Sequence, residues 1–205
     1  MRVPCELLMG EGDRLRRVSP VILDAFQEAV ELCVDRLAAA DVAVHVVDAP
    51  DEVIPEWGVG GCAYGPHSVV LSIDPDHDID RADVVSTLVH EIHHAMRWRG
   101  PGTGTSLGER LVTEGLAQVF EIEATGRHPL YAQGDVHPEH RAMALARLGD
   151  DPADDGLWFF GREDLPRWFG YRLGFAIASE GVLARTSTAA GMVVEPAATF
   201  LDPLR

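Results

Sequence analysis

From Pro20 to Ala40 the chain reads PVILDAFQEAVELCVDRLAAA, with apolar residues every three to four positions, the spacing that lines one side of a helix. Ser19 ahead of Pro20 fits an N-cap followed by proline at the first helical position, so a helix over 20–40 is predicted. The rhythm then shortens to two. VAVHVVDAP (42–50) alternates, is rich in β-branched residues and ends at a proline, which predicts a strand, and HSVVLSIDP (67–75) predicts a second. Between them GVGGCAYG (58–65) holds too much glycine for regular structure unless backbones pack closely there.

Helical spacing returns after Pro75 and runs to about Trp98, opening on the acidic DHDIDRAD where a helix dipole favours negative charge. GPGTGT (100–105) is a break. Ser106 followed three residues later by Glu109 is a capping-box signature, so the next helix should run to about Thr125 and stop at Gly126. Weaker patterns predict helices near 138–148 and 170–186, an acidic loop GDDPADDG (149–156) and one short helix in the tail MVVEPAATFLDPLR. Strands fall early, within about 1–75, and helices late, within about 80–205. That order predicts one α+β domain over 1–205 rather than a sheet built from βαβ units.

The stretch VVSTLVHEIHHAMRW (84–98) sets three histidines and a glutamate inside an otherwise apolar helix. Burying imidazoles without partners is costly, so either ordinary hydrogen bonds or a bound ion must compensate. His90, Glu91 and His94 form HExxH, and helical geometry stacks the two histidines one turn apart on one face. One zinc ion suits such a pair: it takes neutral imidazole at about 2.0–2.1 Å and keeps a position open for water. Glu91 sits beside the ion rather than on it, where a carboxylate can take a proton from activated water as general base. A third ligand is needed. Glu114, in LVTEGLAQ of the next helix, shares a side with Leu107, Leu111 and Ala117 and so faces inward, while Glu109 and Glu121 compete with it. His93 is expected at the surface or in contact with the site without ligating, and Gln118, one turn past Glu114, could hold a ligand imidazole in its tautomer.

Composition narrows the partners. Asp and Glu number 33 against 17 basic residues, all Arg, for a net charge of −16, which repels nucleic-acid backbones and anionic lipid surfaces. No apolar run approaches the roughly 18 residues of a membrane span, and the N-terminal residues lack a signal-like apolar stretch, so a soluble cytoplasmic protein is expected. Cys5, Cys33 and Cys62 are far apart and in no CxxC pair, which predicts reduced, partly buried thiols. Asp74, Asp76, Asp78 and Asp80 lack the glycine and terminal glutamate of a calcium loop and read as capping residues. His128, His137 and His140 lie among prolines and are expected in solvent.

HEIHH followed by EGLA resembles a family of predicted zinc-dependent proteases catalogued as a domain of unknown function and related in pattern to the gluzincins. GGCAYGPHSVVLSIDP, SLGERLVTEGLAQVFE and LPRWFGYRLGF (165–175) resemble its recurring blocks, so the likeness covers about 55–180. It implies a zincin-like fold with a small mixed sheet packed on the active-site helix, His90, His94 and Glu114 as zinc ligands, and Glu91 as the catalytic carboxylate. It also implies an edge strand beside the cleft that pairs with a peptide or protein substrate, for which HSVVLSIDP is the candidate with WGVGG as rim. Tyr171, between Gly170 and Gly174, is the candidate oxyanion donor, its alternative being a core aromatic. The expected activity is peptide-bond hydrolysis. Rival readings are a zinc hydrolase of non-peptide amides or esters, a catalytically silent zinc-binding interaction module, and a metal-free scaffold.

Overall fold

The computed structural model describes residues 5–162 and 164–204. The chain divides into two compact units, Met1–Trp98 and Arg99–Arg205. All four strands of the described residues belong to the first: β1 (Cys5–Met9), β2 (Val42–Asp48), β3 (Val59–Gly65) and β4 (Ser68–Ile73), in the order β1-β2-β4-β3. β1, β2 and β4 run parallel, and β3 closes the sheet as an antiparallel hairpin with β4. The whole is a mixed α+β fold, yet β1 and β2 are joined through helix α1 (Asp13–Leu37), a βαβ unit that the early-strand, late-helix reading did not foresee. That reading left Cys5–Met9 unassigned because five residues, Glu among them, carry too little alternation to register.

Helix α1 begins at Asp13 rather than Pro20, so Ser19 is not its cap. Proline inside a helix leaves the carbonyl four residues back without its N–H donor. Here the Ser19 hydroxyl donates to that carbonyl, on Arg16, at 3.0 Å, and the helix continues through Pro20. The buried stripe of α1, Leu15, Ile22, Ala25, Ala29, Cys33 and Leu37, packs against helix α2 (Arg81–Arg97), which in turn lies on β3 and β4. Val42, Val44 and Val46 of β2 and Val69, Leu71 and Ile73 of β4 fill the core beneath, as period-two alternation requires. Full burial of such side chains contributes roughly 1.5–3 kcal/mol each, which fixes the strand register.

The glycine-rich stretch forms strand β3, with a register shift between Ala63 and Gly65 and the close backbone packing that such a strand needs. β4, the candidate substrate strand, is internal, paired with β2 on one side and β3 on the other; the edges are β1 and β3. Of the cysteines, Cys33 is buried, Cys5 half-buried and Cys62 exposed. Burial pushes the Cys33 thiol well above its usual value.

The second unit is helical. α3 (Leu107–Thr125) opens on the expected capping box and closes at Gly126 in the left-handed conformation. α4 (Pro138–Ala146), α5 (Asp155–Trp158), α6 (Phe169–Ala184) and α7 (Ala198–Leu201) follow, α5 emerging from the end of the acidic stretch read as loop. α3 and α6 pack closely enough that a Cβ on Gly115 would stand 2.0 Å from the Gly174 carbonyl oxygen, and one on Gly174 would stand 2.4 Å from that of Leu111. No helix among the described residues is long and apolar enough to cross a membrane.

Candidate metal centre

Asp80 starts α2: its carboxylate accepts from the Ala82 N–H at 2.8 Å, capping the helix where the acidic run predicted a start. Nearly every residue of α2 is buried because α1 covers one side and the sheet another. Val84, Val85, Leu88, Val89 and Ile92 anchor the helix, and the same burial encloses the polar trio. His90, Glu91 and His94 are 4, 8 and 6% exposed. Their ligand atoms all lie within 4.8 Å of one another. The two imidazoles sit edge to face, ring centroids 4.6 Å apart at 82°, as one helical turn dictates.

Two buried imidazoles with ligand atoms within 4.8 Å of each other fit zinc, which takes neutral imidazole nitrogen, and the Glu91 carboxylate lies beside them. Glu91 owes its place to a missing side chain. A Cβ on Gly61 of β3 would lie 2.6 Å from the Glu91 Cγ and 2.8 Å from Thr87 Cγ2, so only glycine at 61 lets the carboxylate lie against the edge strand. His93 is fully buried, not at the surface as the sequence suggested, with its ring 6.4 Å from that of His94. Helical spacing alone misplaced it, since α2 is covered on more than one face. His128 and His137 are exposed as expected, whereas His140 is half-buried with its ring 5.7 Å from Phe169.

Glu114, Gln118 and Tyr171 lie in the second unit, near one another. The three competing glutamates of α3 are sorted by their contacts. Glu109 Oε2 accepts from the Ser106 N–H at 3.1 Å and the Ser106 hydroxyl at 2.7 Å, which commits it to the cap. Glu121 Oε2 accepts from the Tyr131 hydroxyl at 2.7 Å. Glu114, 7% exposed, has Arg110 Nη2 4.0 Å from its Oε1. Burial opposes the charge on Arg110, but the Glu114 and Asp155 carboxylates and the nearby Tyr171 outweigh it and hold the guanidinium above its usual value. Sequence reasoning passed over Arg110, although its place one turn before Glu114 on the same face was an available cue.

A small mixed sheet with HExxH on the helix packed against it defines a zincin-like α+β domain with a candidate metal centre. Residues 22–202 match the model of DUF2268, described as a predicted Zn-dependent protease, and the chain belongs to that family. It is 30% identical over 139 residues to the uncharacterized protein YjaZ of Bacillus subtilis (strain 168), a match covering 62% of this chain and 53% of YjaZ. The chain thus spans about half the length of that relative. No solved structure is a significant match.

Proposed function

We propose that the protein is a zinc-dependent peptidase of gluzincin type, acting on peptide or protein substrates. The observation that carries the reading is the convergence of His90, Glu91 and His94 on one buried face, with Gly61 making room for the carboxylate. His90, His94 and Glu114 would hold one zinc ion, Glu114 being favoured because Glu109 and Glu121 are engaged elsewhere. Zinc supplies Lewis acidity, acidifying water and polarising a carbonyl. Glu91 takes the proton of the attacking water on its carboxylate and returns it to the departing amine nitrogen, so the nitrogen leaves neutral. The Tyr171 hydroxyl donates to the oxyanion as it forms. An extended substrate adds to β3, the edge strand whose Gly61 lies against Glu91, exchanging main-chain hydrogen bonds along its outer side beyond the Ile54–Val59 bridge. The wide spacing of Cys5, Cys33 and Cys62, in no CxxC pair, supports a cytoplasmic setting, and the net charge of −16 supports substrates other than nucleic acid.

Replacing Glu91 with Gln is the direct test. Zinc should remain stoichiometric while cleavage of a fluorescent casein falls about 100- to 10,000-fold. Undiminished cleavage removes the mechanism; turnover of small amides or esters but no peptide moves the substrate class; tight zinc without turnover leaves a binding module. In Glu114→Ala, zinc affinity should fall sharply, and unchanged affinity removes Glu114 as ligand.

A further inference from the structure

Arg110, Glu114, Gln118 and Glu121 form a polar stripe along one side of α3. Gln118 is fully buried. Its Nε2 donates to the Tyr171 carbonyl on α6 at 3.0 Å and to the Glu114 carbonyl at 3.2 Å. One amide therefore ties the turn bearing the proposed zinc ligand to the turn bearing the proposed oxyanion donor. The tie sits where the Gly115 and Gly174 backbones meet, so the two turns have little freedom to slide. The Tyr171 ring is held as well: Tyr131 lies 5.2 Å away, fixed by its own bond to Glu121, and Phe159 lies 5.1 Å away edge to face.

Stability does not account for this glutamine. Both carbonyls it serves lie inside helices, where the N–H four residues on is already the normal donor. Its Oε1 is buried and has no hydrogen-bond partner among the described residues, an arrangement that costs free energy. A leucine or methionine would fill the site without an orphaned oxygen. The contacts that remain to justify glutamine are the two that set Tyr171 relative to Glu114.

We propose that Gln118 is a positioning residue that fixes Tyr171 relative to Glu114 for the chemical step. The inference rests on the zinc-peptidase reading and on Tyr171 as donor. It is tested with Gln118→Leu and with Gln118→Met, which keeps the length of the side chain. In either variant zinc content and KM for the casein substrate should stay at wild-type values and kcat should fall about tenfold or more. Thermal stability should be unchanged or higher, because an orphaned acceptor has been removed. In a Tyr171→Phe background, Gln118→Leu should lower kcat no further. A purely structural glutamine would instead lower the melting temperature and act additively with Tyr171→Phe, and either result overturns the proposal. Wild-type kcat in Gln118→Leu or in Tyr171→Phe overturns it too, while leaving the zinc reading in place. A wild-type protein that binds no zinc and cleaves nothing fails the zinc reading itself, and this inference falls with it.

Discussion

At the scale of single residues, the site depends on an absence as much as on its ligands. Glycine in a strand normally weakens it, so alanine at 61 would ordinarily stabilise β3. Here the added Cβ meets Glu91 Cγ at 2.6 Å, a contact that must relax. The nearest atoms belong to side chains, so the cheapest relief is for Glu91 to swing away, and function should suffer more than stability. Gly61→Ala is expected to keep zinc, to lose about 1–3 kcal/mol of stability from overpacking, and to lose at least tenfold in kcat/KM. Equilibrium denaturation, metal analysis and casein cleavage on one preparation measure all three. Wild-type kcat/KM in this variant would show that the carboxylate does its work without the space that Gly61 leaves. None of this was legible in HEIHH alone, because the residue that makes room lies thirty positions away on another element.

At the scale of elements, α3 and α6 meet through glycines, and two effects of opposite sign compete. Gly→Ala in a helix interior normally stabilises by up to about 1 kcal/mol through backbone entropy. At Gly174 the new Cβ would press on the Leu111 carbonyl at 2.4 Å, backbone against backbone, where nothing flexible can yield. Helix separation should win, so Gly174→Ala is expected to destabilise by about 1–3 kcal/mol or more, read from its urea midpoint; a stabilised variant would show that the helices part without cost. What the sequence disclosed at this scale follows the range of the signals. α3 was legible at both ends because its capping box and terminal glycine are local. The start of α1 was not, because Pro20 carries a start signal that the Ser19 hydroxyl overrides by serving the Arg16 carbonyl. Which strand takes the sheet edge was not legible either: β4 alternates better than β3, and pairing order is a non-local property.

Across the whole molecule the charge of −16 means that the folded chain repels itself at neutral pH. Mild acid relieves that repulsion as ordinary carboxylates begin to take up protons. Two aspartates oppose the trend at lower pH. Hydrogen bonds from Arg17 and Arg14, each at 2.8 Å, hold Asp76 below the usual value of 3.8 and tie the start of α1 to the loop after β4. The Leu157 N–H at the start of α5, with Arg162, does the same for Asp154. A carboxylate whose folded value is depressed adds stability above its unfolded value and loses it as pH falls through the folded one. Metal-free protein is therefore expected to hold or gain stability from pH 7 to about 5 and to lose it below about 3.8, more steeply at low salt because both groups are exposed. Zinc must be removed first, since protonation of ligands adds its own pH dependence. Urea midpoints from pH 7 to 3 for wild type, Asp76→Asn and Asp154→Asn measure this: each variant starts lower at pH 7 and falls less on acidification. Parallel acid limbs in all three proteins would mean that the depressed aspartates are not what acid removes, and that protonation of the bulk carboxylates alone unfolds the chain.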